Sequence, residues 1–331
     1  MTTITVTEQS PGRGTIIRKI AAKELSDALR NRLFLIAAVT MLGLALIAVL
    51  LGAVTVRAQM SDYLNAVDVL KSLGRTDFPA APSLNPIAVS KNFINYLAMV
   101  GALLAMILGF STIRKERQAG TLPLLLSRPV FRDQLLTGKI LGNALMLGLL
   151  MLLVGAMTYL AITVVGRVSL TADEFMKLAL TMLMSWFYLL TSFALALLLS
   201  LLFPDGNKAL LLTVIIWLVY AFVFPQIGDT MDIDNQLPGG FFATLGLDRA
   251  GEEAALAKFK WYETVRDGIE QLSPTKHYER ISFALLGVKK AFIPNTWLEI
   301  VQLKLIDIAG LLLPIFLLFS AAYVVFLRKD T

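Results

Sequence analysis

Apolar and polar positions alternate in long blocks along this chain. Six runs are almost purely apolar: 33–56, 94–113, 140–165, 175–203, 209–227 and 305–327. A helix needs roughly 20 apolar residues to cross the hydrocarbon core of a bilayer. The pattern therefore predicts an all-α polytopic membrane protein with six transmembrane helices. The first run is too long for the apolar region of a signal peptide, and no small-residue cleavage site follows it, so it is expected to stay in the mature protein.

Between the runs lie three segments with patterns of their own. Residues 15–32 place Ile17, Ile20, Ala21, Leu25, Ala28 and Leu29 on one helical stripe, with Arg18, Lys19, Lys23, Asp27 and Arg30 opposite. Such a helix lies in the membrane interface beside the first span. Residues 57–93 read as a polar outer loop, extended where prolines crowd 78–86. Residues 228–303 form a larger insertion with helical periodicity at 248–272 and a second stripe through Tyr278, Ile281, Leu285 and Val288. Ser273-Pro274 supplies a cap and a first-turn proline for that second helix. Two amphipathic helices outside the spans suggest a small cap or a re-entrant element. The organisation expected is a cytoplasmic N-terminus over 1–32, spans 1–5 over 33–227, an extracytoplasmic helical insertion over 228–303, and the sixth span with a short tail over 304–331.

Composition agrees: of 331 residues, 56% are hydrophobic and only 16% charged, with a mean hydropathy of +0.70. Soluble domains carry about 25% charged residues. The net charge of +6 would suggest nucleic acid in a soluble protein. Here the basic residues sit beside apolar runs, so membrane lipid and orientation explain them instead, and no nucleic-acid partner is expected. Arg13, Arg18, Lys19, Lys23, Arg30 and Arg32 precede the first span; Arg114, Lys115, Arg117, Arg128, Arg132 and Lys139 flank the second-to-third loop. The positive-inside rule then puts both termini in the cytoplasm, with the protein in the bacterial inner membrane.

Candidate chemistry is notable for what the spans lack. There is no cysteine and one histidine, which excludes a thiol nucleophile or thiolate metal site and leaves no metal site expected. No ionisable residue stands near the centre of any span; Lys177 and Asp307 lie near outer ends, where snorkelling or helix-start placement accounts for them. Ion-coupled transporters bind their ion at membrane depth, so energy must come from elsewhere. Gly138-Lys139 ends like a phosphate loop, but Asp133 stands where the first glycine belongs and Ile140 where magnesium needs a hydroxyl. Catalytic residues and bound cofactors are accordingly none on this chain. Gly138 and Gly142 form a GxxxG at the edge of the third span, a weak signal for helix pairing. His277 reads as a surface or interfacial histidine.

The loop 114–139 is cytoplasmic and dense in charge, yet holds Leu122, Leu124, Leu125 and Leu126. An apolar cluster rimmed by arginines marks a protein contact. The series Glu116-Arg117, Gly120-Thr121-Leu122, Leu125-Leu126-Ser127, Arg128-Pro129-Val130, Arg132 and Gly138-Lys139 resembles the permeases of type-2 ATP-binding-cassette (ABC-2) exporters. Lys23-Glu24-Leu25 with Arg30-Asn31-Arg32 is similar to that family's membrane-elbow helix. The long insertion, with Ser273-Pro274 and His277-Tyr278, resembles the subgroup that serves maturation of multicopper enzymes and nitrous-oxide reductase.

The resemblance implies a coupling helix that docks on a separate cassette ATPase through Glu116, Arg117, Gly120, Thr121, Leu125 and Leu126, with Arg128 and Arg132 as weaker contacts. ATP and magnesium would reside on that partner, present in two copies. A second permease copy, as homodimer or related heterodimer, and a periplasmic partner at 228–303 are further expectations. Trp186 and Tyr188, near the middle of the fourth span, are candidates to line a substrate path. The expected function is ATP-driven export of a hydrophobic or amphiphilic solute; the alternative is a mechanical relay to a periplasmic partner without transport.

Overall fold

A computed structural model describes residues 12–75, 85–118, 120, 131–233, 241–247, 249–258 and 260–328. The described residues form helices and turns, with no strand among them. Six of the helices are long and apolar enough to cross a membrane, as the hydropathy pattern requires. The chain is a multi-pass membrane protein.

Helix α1 (Arg13–Arg30) meets the first span, α2 (Arg32–Ser72), at an abrupt corner. Asn31 makes that corner. Its backbone is extended, and its side chain accepts from the Leu33 and Phe34 amides, so it stops one helix and caps the next. Helix α2 runs on through Ser72, well past the apolar run that ends at 56. The expectation of a loop from residue 57 is therefore corrected. Arg57, Gln59, Asp62 and Asp68 are polar but good or tolerable helix residues, and no glycine or proline interrupts them before Gly74. The proline-crowded 78–84 lies outside the described residues, and Pro86–Ser90 is a 3₁₀ turn.

The remaining spans are α3 (Pro86–Arg117), α4 (Arg132–Val165), α5 (Ala172–Leu202) and α6 (Gly206–Met231). Helix α5 is the hub: 78% of its most apolar stretch is buried, against 22% for α6. It packs closest on α3, where Gly101, Ala105 and Gly109 recur every fourth residue and let the backbones approach. A Cβ on Gly109 would run into the Phe193 carbonyl. Small residues of this kind substitute for a hydrophobic drive between helices in lipid. Thr171 and Glu174 start α5 with a reciprocal capping box.

The segment before the last span folds as α7 (Arg249–Lys258), α8 (Lys260–Glu270), α9 (Pro274–Leu285) and α10 (Trp297–Leu303), followed by the sixth span, α11 (Leu305–Arg328). Ser273 caps α9 as its sequence predicts, accepting from the Lys276 amide, with Pro274 in the first turn. Yet α9 does not lie outside the spans. Tyr278, Ile281, Ala284 and Leu285 are buried, and Tyr278 stacks on Tyr188 of α5 with ring centroids 4.7 Å apart. Helices α8 and α9 thus make a hairpin whose tip enters the bundle.

Two wide helical turns receive that tip. Leu97–Gly101 in α3 and Val219–Val223 in α6 are π-turns, which disturb the regular ladder and leave a carbonyl for other donors. The Ala98 carbonyl accepts from the Tyr188 hydroxyl at 2.8 Å. The Tyr220 carbonyl accepts from the Ser273 hydroxyl.

Candidate functional site

The clearest constellation of polar groups lies where α1, α3 and α4 meet, at both flanks of the loop 114–139. Helix α1 lies along α4 with Ile17, Ile20, Ala21, Glu24 and Ala28 inward. Gly138 and Gly142 are what admit it. A Cβ on Gly138 would stand 2.7 Å from the Ile20 side chain, and one on Gly142 2.6 Å from the Ala21 carbonyl oxygen. The GxxxG that is only a weak pairing signal in the sequence is the seat of α1.

Glu24 brings a carboxylate into this seat. Lys139, the residue after Gly138, places its Nζ 2.6 Å from Glu24 Oε1 and 2.8 Å from Glu116 Oε1, and donates to the Thr112 carbonyl at 3.0 Å. An ammonium group has three donors, and three acceptors surround this one. The side chains are 2%, 10% and 9% exposed for Lys139, Glu24 and Glu116. Asn143, one turn along α4, donates to the Lys139 carbonyl at 2.9 Å and lies 3.4 Å from the Thr112 hydroxyl. Lys23, more exposed, adds a second cation 3.8 Å from Glu116. Removing one partner from such a buried set costs about 3–5 kcal/mol, because the other charge is stranded.

Glu116 ends α3 and Lys139 belongs to the second turn of α4, so the ion cluster pins both flanks of the intervening loop to α1. A second tie joins α1 to the loop's exit: Arg13 lies 3.2 Å from Asp133 and over the Phe131 ring, 5.6 Å from its centroid. Past the end of α3, Gly120 takes the left-handed conformation (φ +63) and its amide bonds the Arg117 carbonyl at 3.3 Å.

The predicted docking residues divide accordingly. Glu116 is buried against Lys139, 2.8 Å from its Nζ, so its charge is engaged within the chain. Arg117 is half-buried and points across to the end of α5, 3.4 Å from the Ser200 and Phe203 carbonyls, where a cation suits the helix C-terminus. Gly120 is exposed with open space around it. Arg132 is half-exposed in the first turn of α4. Thr121, Leu125, Leu126 and Arg128 lie outside the described residues.

Of the two substrate-path candidates, Tyr188 is fully buried, bonded to Ala98, 3.2 Å from the Thr275 hydroxyl and stacked on Tyr278. It packs against the hairpin tip. Trp186 is half-buried, donates to the Ala144 carbonyl at 2.9 Å and lines an open apolar groove of about 530 Å³ with Gly148, Leu149, Leu152 and Met182.

Sequence reasoning passed over Glu24, Thr112, Lys139 and Asn143 as members of one site. Glu24 had a signal: it falls on the apolar stripe of α1, between Ala21 and Ala28. His277 was also misread. It is buried, not superficial, with Nδ1 2.9 Å from Asp307 and Nε2 3.0 Å from the Gln271 carbonyl. Gly310 makes room for the ring on α11, since a Cβ there would overlap it. Lys304 lies 3.2 Å from the other Asp307 oxygen. Lys177 likewise turns inward, donating to the Asn295 carbonyl at 2.6 Å rather than snorkelling.

Six apolar helices of spanning length make this a multi-pass membrane protein whose charged loop is clamped at both flanks. Residues 18–331 match the family described as ABC-2 family transporter protein, and the chain belongs to it, as the permease subunit of an ABC transporter. Among curated relatives it is 37% identical over 134 residues to "Probable ABC transporter permease protein NosY" of Stutzerimonas stutzeri, covering 40% of this chain and 41% of that protein. It is 33% identical over 134 residues to the Pseudomonas aeruginosa protein of the same name, with the same coverage of 40% and 41%. The aligned stretch spans about two fifths of each relative.

Proposed function

We propose that this chain takes its driving force from a separate cassette ATPase through the loop 114–139 and spends it on exporting a hydrophobic or amphiphilic solute. The Lys139–Glu24–Glu116 cluster carries this reading. A loop that only linked two spans would need no buried charges at its flanks, whereas a loop that is pushed needs stiff ones. Docking then falls to Gly120, Thr121, Leu125 and Leu126, with Arg128 and Arg132 beside them. Glu116 and Arg117 hold the first flank in place. ATP and magnesium belong to the partner, and two permease copies with two ATPase copies complete the transporter. Both termini lie in the cytoplasm of a bacterium whose inner membrane the spans cross.

Co-purification of the cassette ATPase with the full chain tests the docking assignment. Gly120→Glu, which forces a side chain into a left-handed turn, and Leu125→Asp are each expected to abolish it while membrane insertion persists. ATPase retention at the wild-type level in both variants would refute the assignment.

A mechanical relay to a periplasmic partner is the second reading, favoured by the burial of α9. Tyr278, His277 and Ser273 join the insertion to α5, α11 and α6 in turn, so movement of the bundle reaches the insertion directly. Capture of a periplasmic protein that depends on 228–303, with no solute-stimulated ATP hydrolysis in liposomes, would favour the relay over export.

A further inference from the structure

His277 is the single histidine of the chain, and both of its ring nitrogens face an acceptor. Nδ1 lies 2.9 Å from an Asp307 oxygen on α11, and Nε2 lies 3.0 Å from the Gln271 carbonyl at the turn between α8 and α9. Both separations are those of hydrogen bonds. A backbone carbonyl can only accept, and so can an ionised carboxylate. Lys304 lies 3.2 Å from the second Asp307 oxygen, so the carboxylate stands between two donors. A neutral imidazole has one N–H and one lone pair. Whichever nitrogen kept the proton, the other would turn its lone pair on an oxygen at bonding distance. The imidazolium, with two N–H groups, satisfies both contacts.

Burial removes the remedy that water offers on a surface. His277 is 4% exposed and Asp307 6%, and the ring lies against Gly310, where a Cβ would stand 2.3 Å from Nε2. Charges on the other elements around α9 are engaged elsewhere. On α5, Lys177 is held by Asp173 and the Asn295 carbonyl. On α10, Glu299 closes the cap at Thr296, and on α3, Lys91 sits over the Phe283 ring. Asp229 of α6 meets Lys276. Glu270 of α8 packs on Gly228 and takes Lys276 and Arg280, while Arg266 gathers Glu263, Asp267 and Asp232. Glu279 of α9 answers to Lys276, Asp229 and Glu270. Among the described residues, Asp307 and its neighbour Lys304 are thus the charges set at the ring.

We infer that His277 is a proton-binding site, and that the bound proton latches the α8–α9 hairpin to α11. One ring then ties three pieces of chain: the turn at Gln271, α9 itself, and α11 at Asp307. When the proton leaves, one of the two contacts changes from attraction to repulsion, and the hairpin tip loosens from α11. The folded chain holds a proton here that the unfolded chain releases more readily, so the latch is complete in acid and weakens as pH rises. Histidine is the side chain whose charge changes nearest neutrality, which places the response there. Nothing in the latch depends on whether the chain exports a solute.

Nuclear magnetic resonance of the full chain in detergent, isotope-labelled at histidine and purified without a histidine tag, reads this residue alone. The wild type is expected to carry a proton on both ring nitrogens at about pH 7, where a free imidazole is mostly neutral. Asp307→Asn, which removes the charge and keeps the shape, is expected to give up the second proton at a lower pH than the wild type. Spin labels then read the latch itself, placed at Leu272 on the hairpin turn and Leu313 on α11. Both residues line one groove, both are more than half exposed, and the chain has no native cysteine to compete for label. One narrow distance is expected at about pH 6, and a second, longer population at about pH 9. His277→Gln, which has no charge to change, is expected to give one distribution at both. A single ring proton in the wild type at about pH 7 overturns the inference. So does a Leu272–Leu313 distance that ignores pH, or a pH response that survives in His277→Gln.

Discussion

Two charged regions of this protein use the same residue types to opposite effect. At the junction of α1, α3 and α4, one lysine is nearly sealed between two glutamates, every donor filled. At the α8–α9 hairpin the charges are more numerous and looser. Lys276 meets Asp229 at 2.7 Å with the acid half-exposed, Arg266 meets Glu263 at 2.6 Å, and Arg280 meets Glu270 with Asp267 beside it. The first region concentrates its electrostatics in one indispensable ion; the second distributes them over partners that can replace one another. A stiff joint needs the former. A segment that must be held without being rigid is served by the latter, because its ions have alternative partners: Lys276 reaches both Asp229 and Glu270, and Arg280 both Glu270 and Asp267.

The contrast breaks most visibly at Lys139. Lys139→Met strands two buried carboxylates and is expected to destabilise the chain by about 3–5 kcal/mol in thermal unfolding in detergent. Replacing all three charges together, as Glu24→Gln, Glu116→Gln and Lys139→Met, should recover most of that loss, because no ion is then left unpaired. Gly142→Leu attacks the same joint by volume: with the Ala21 backbone so close, overpacking should cost about 1–3 kcal/mol and displace α1, visible as new protease cleavage within residues 13–30.

At the hairpin, Asp307→Asn or His277→Ala removes one half of a buried bond and should cost about 1–3 kcal/mol. Arg280→Ala, in the distributed set, should cost less than Lys139→Met, because Lys276 still lies 3.5 Å from the Glu270 carboxylate that Arg280 leaves. If Arg280→Ala proved as damaging as Lys139→Met, the distinction between the two regions would collapse.

The smallest effect is a pH slope. Burial pushes the Glu279 carboxyl above its ordinary 4.5, Lys276 opposing and Asp229 and Glu270 adding to the rise. The folded state therefore holds this proton more tightly than the unfolded state. Its contribution to stability is complete below the unfolded value and fades as pH rises through the higher folded one. Glu279→Gln should flatten that part of the stability profile. Lys276 behaves differently: burial works against its charge, but Asp229 and Glu270 hold its pKa above 10.5, so its contribution persists through neutral pH and is lost only in strong alkali.

Much of this architecture was legible from residues alone, and the misses share a cause. Span number followed from run length, and the α9 start from Ser273-Pro274. Each is a local rule. Helix α2 ran past its apolar run because solvent-exposed helix needs no hydrophobicity, only the absence of breakers. The ion cluster at Glu116 was not legible because its partner, Lys139, lies beyond a long loop, and Glu24, the third member, is on a different helix again. His277 was misplaced because the α8–α9 hairpin enters the bundle, and nothing in an amphipathic stripe says whether its apolar face meets lipid or other helices. Glu24 on the inward stripe of α1 was the one non-local clue the pattern did contain.

The central claim is that force entering at the 114–139 loop passes into the bundle through the Lys139 cluster. The direct test is a spin-label distance between engineered cysteines on α2 at Asp62 and on the connection at Lys289, read in the complex with its ATPase before and after ATP is added. The account predicts a nucleotide-dependent change in the native cluster. With Glu24→Gln, Glu116→Gln and Lys139→Met combined, that change should vanish while the ATPase stays bound. An undiminished change in the uncharged variant would contradict it.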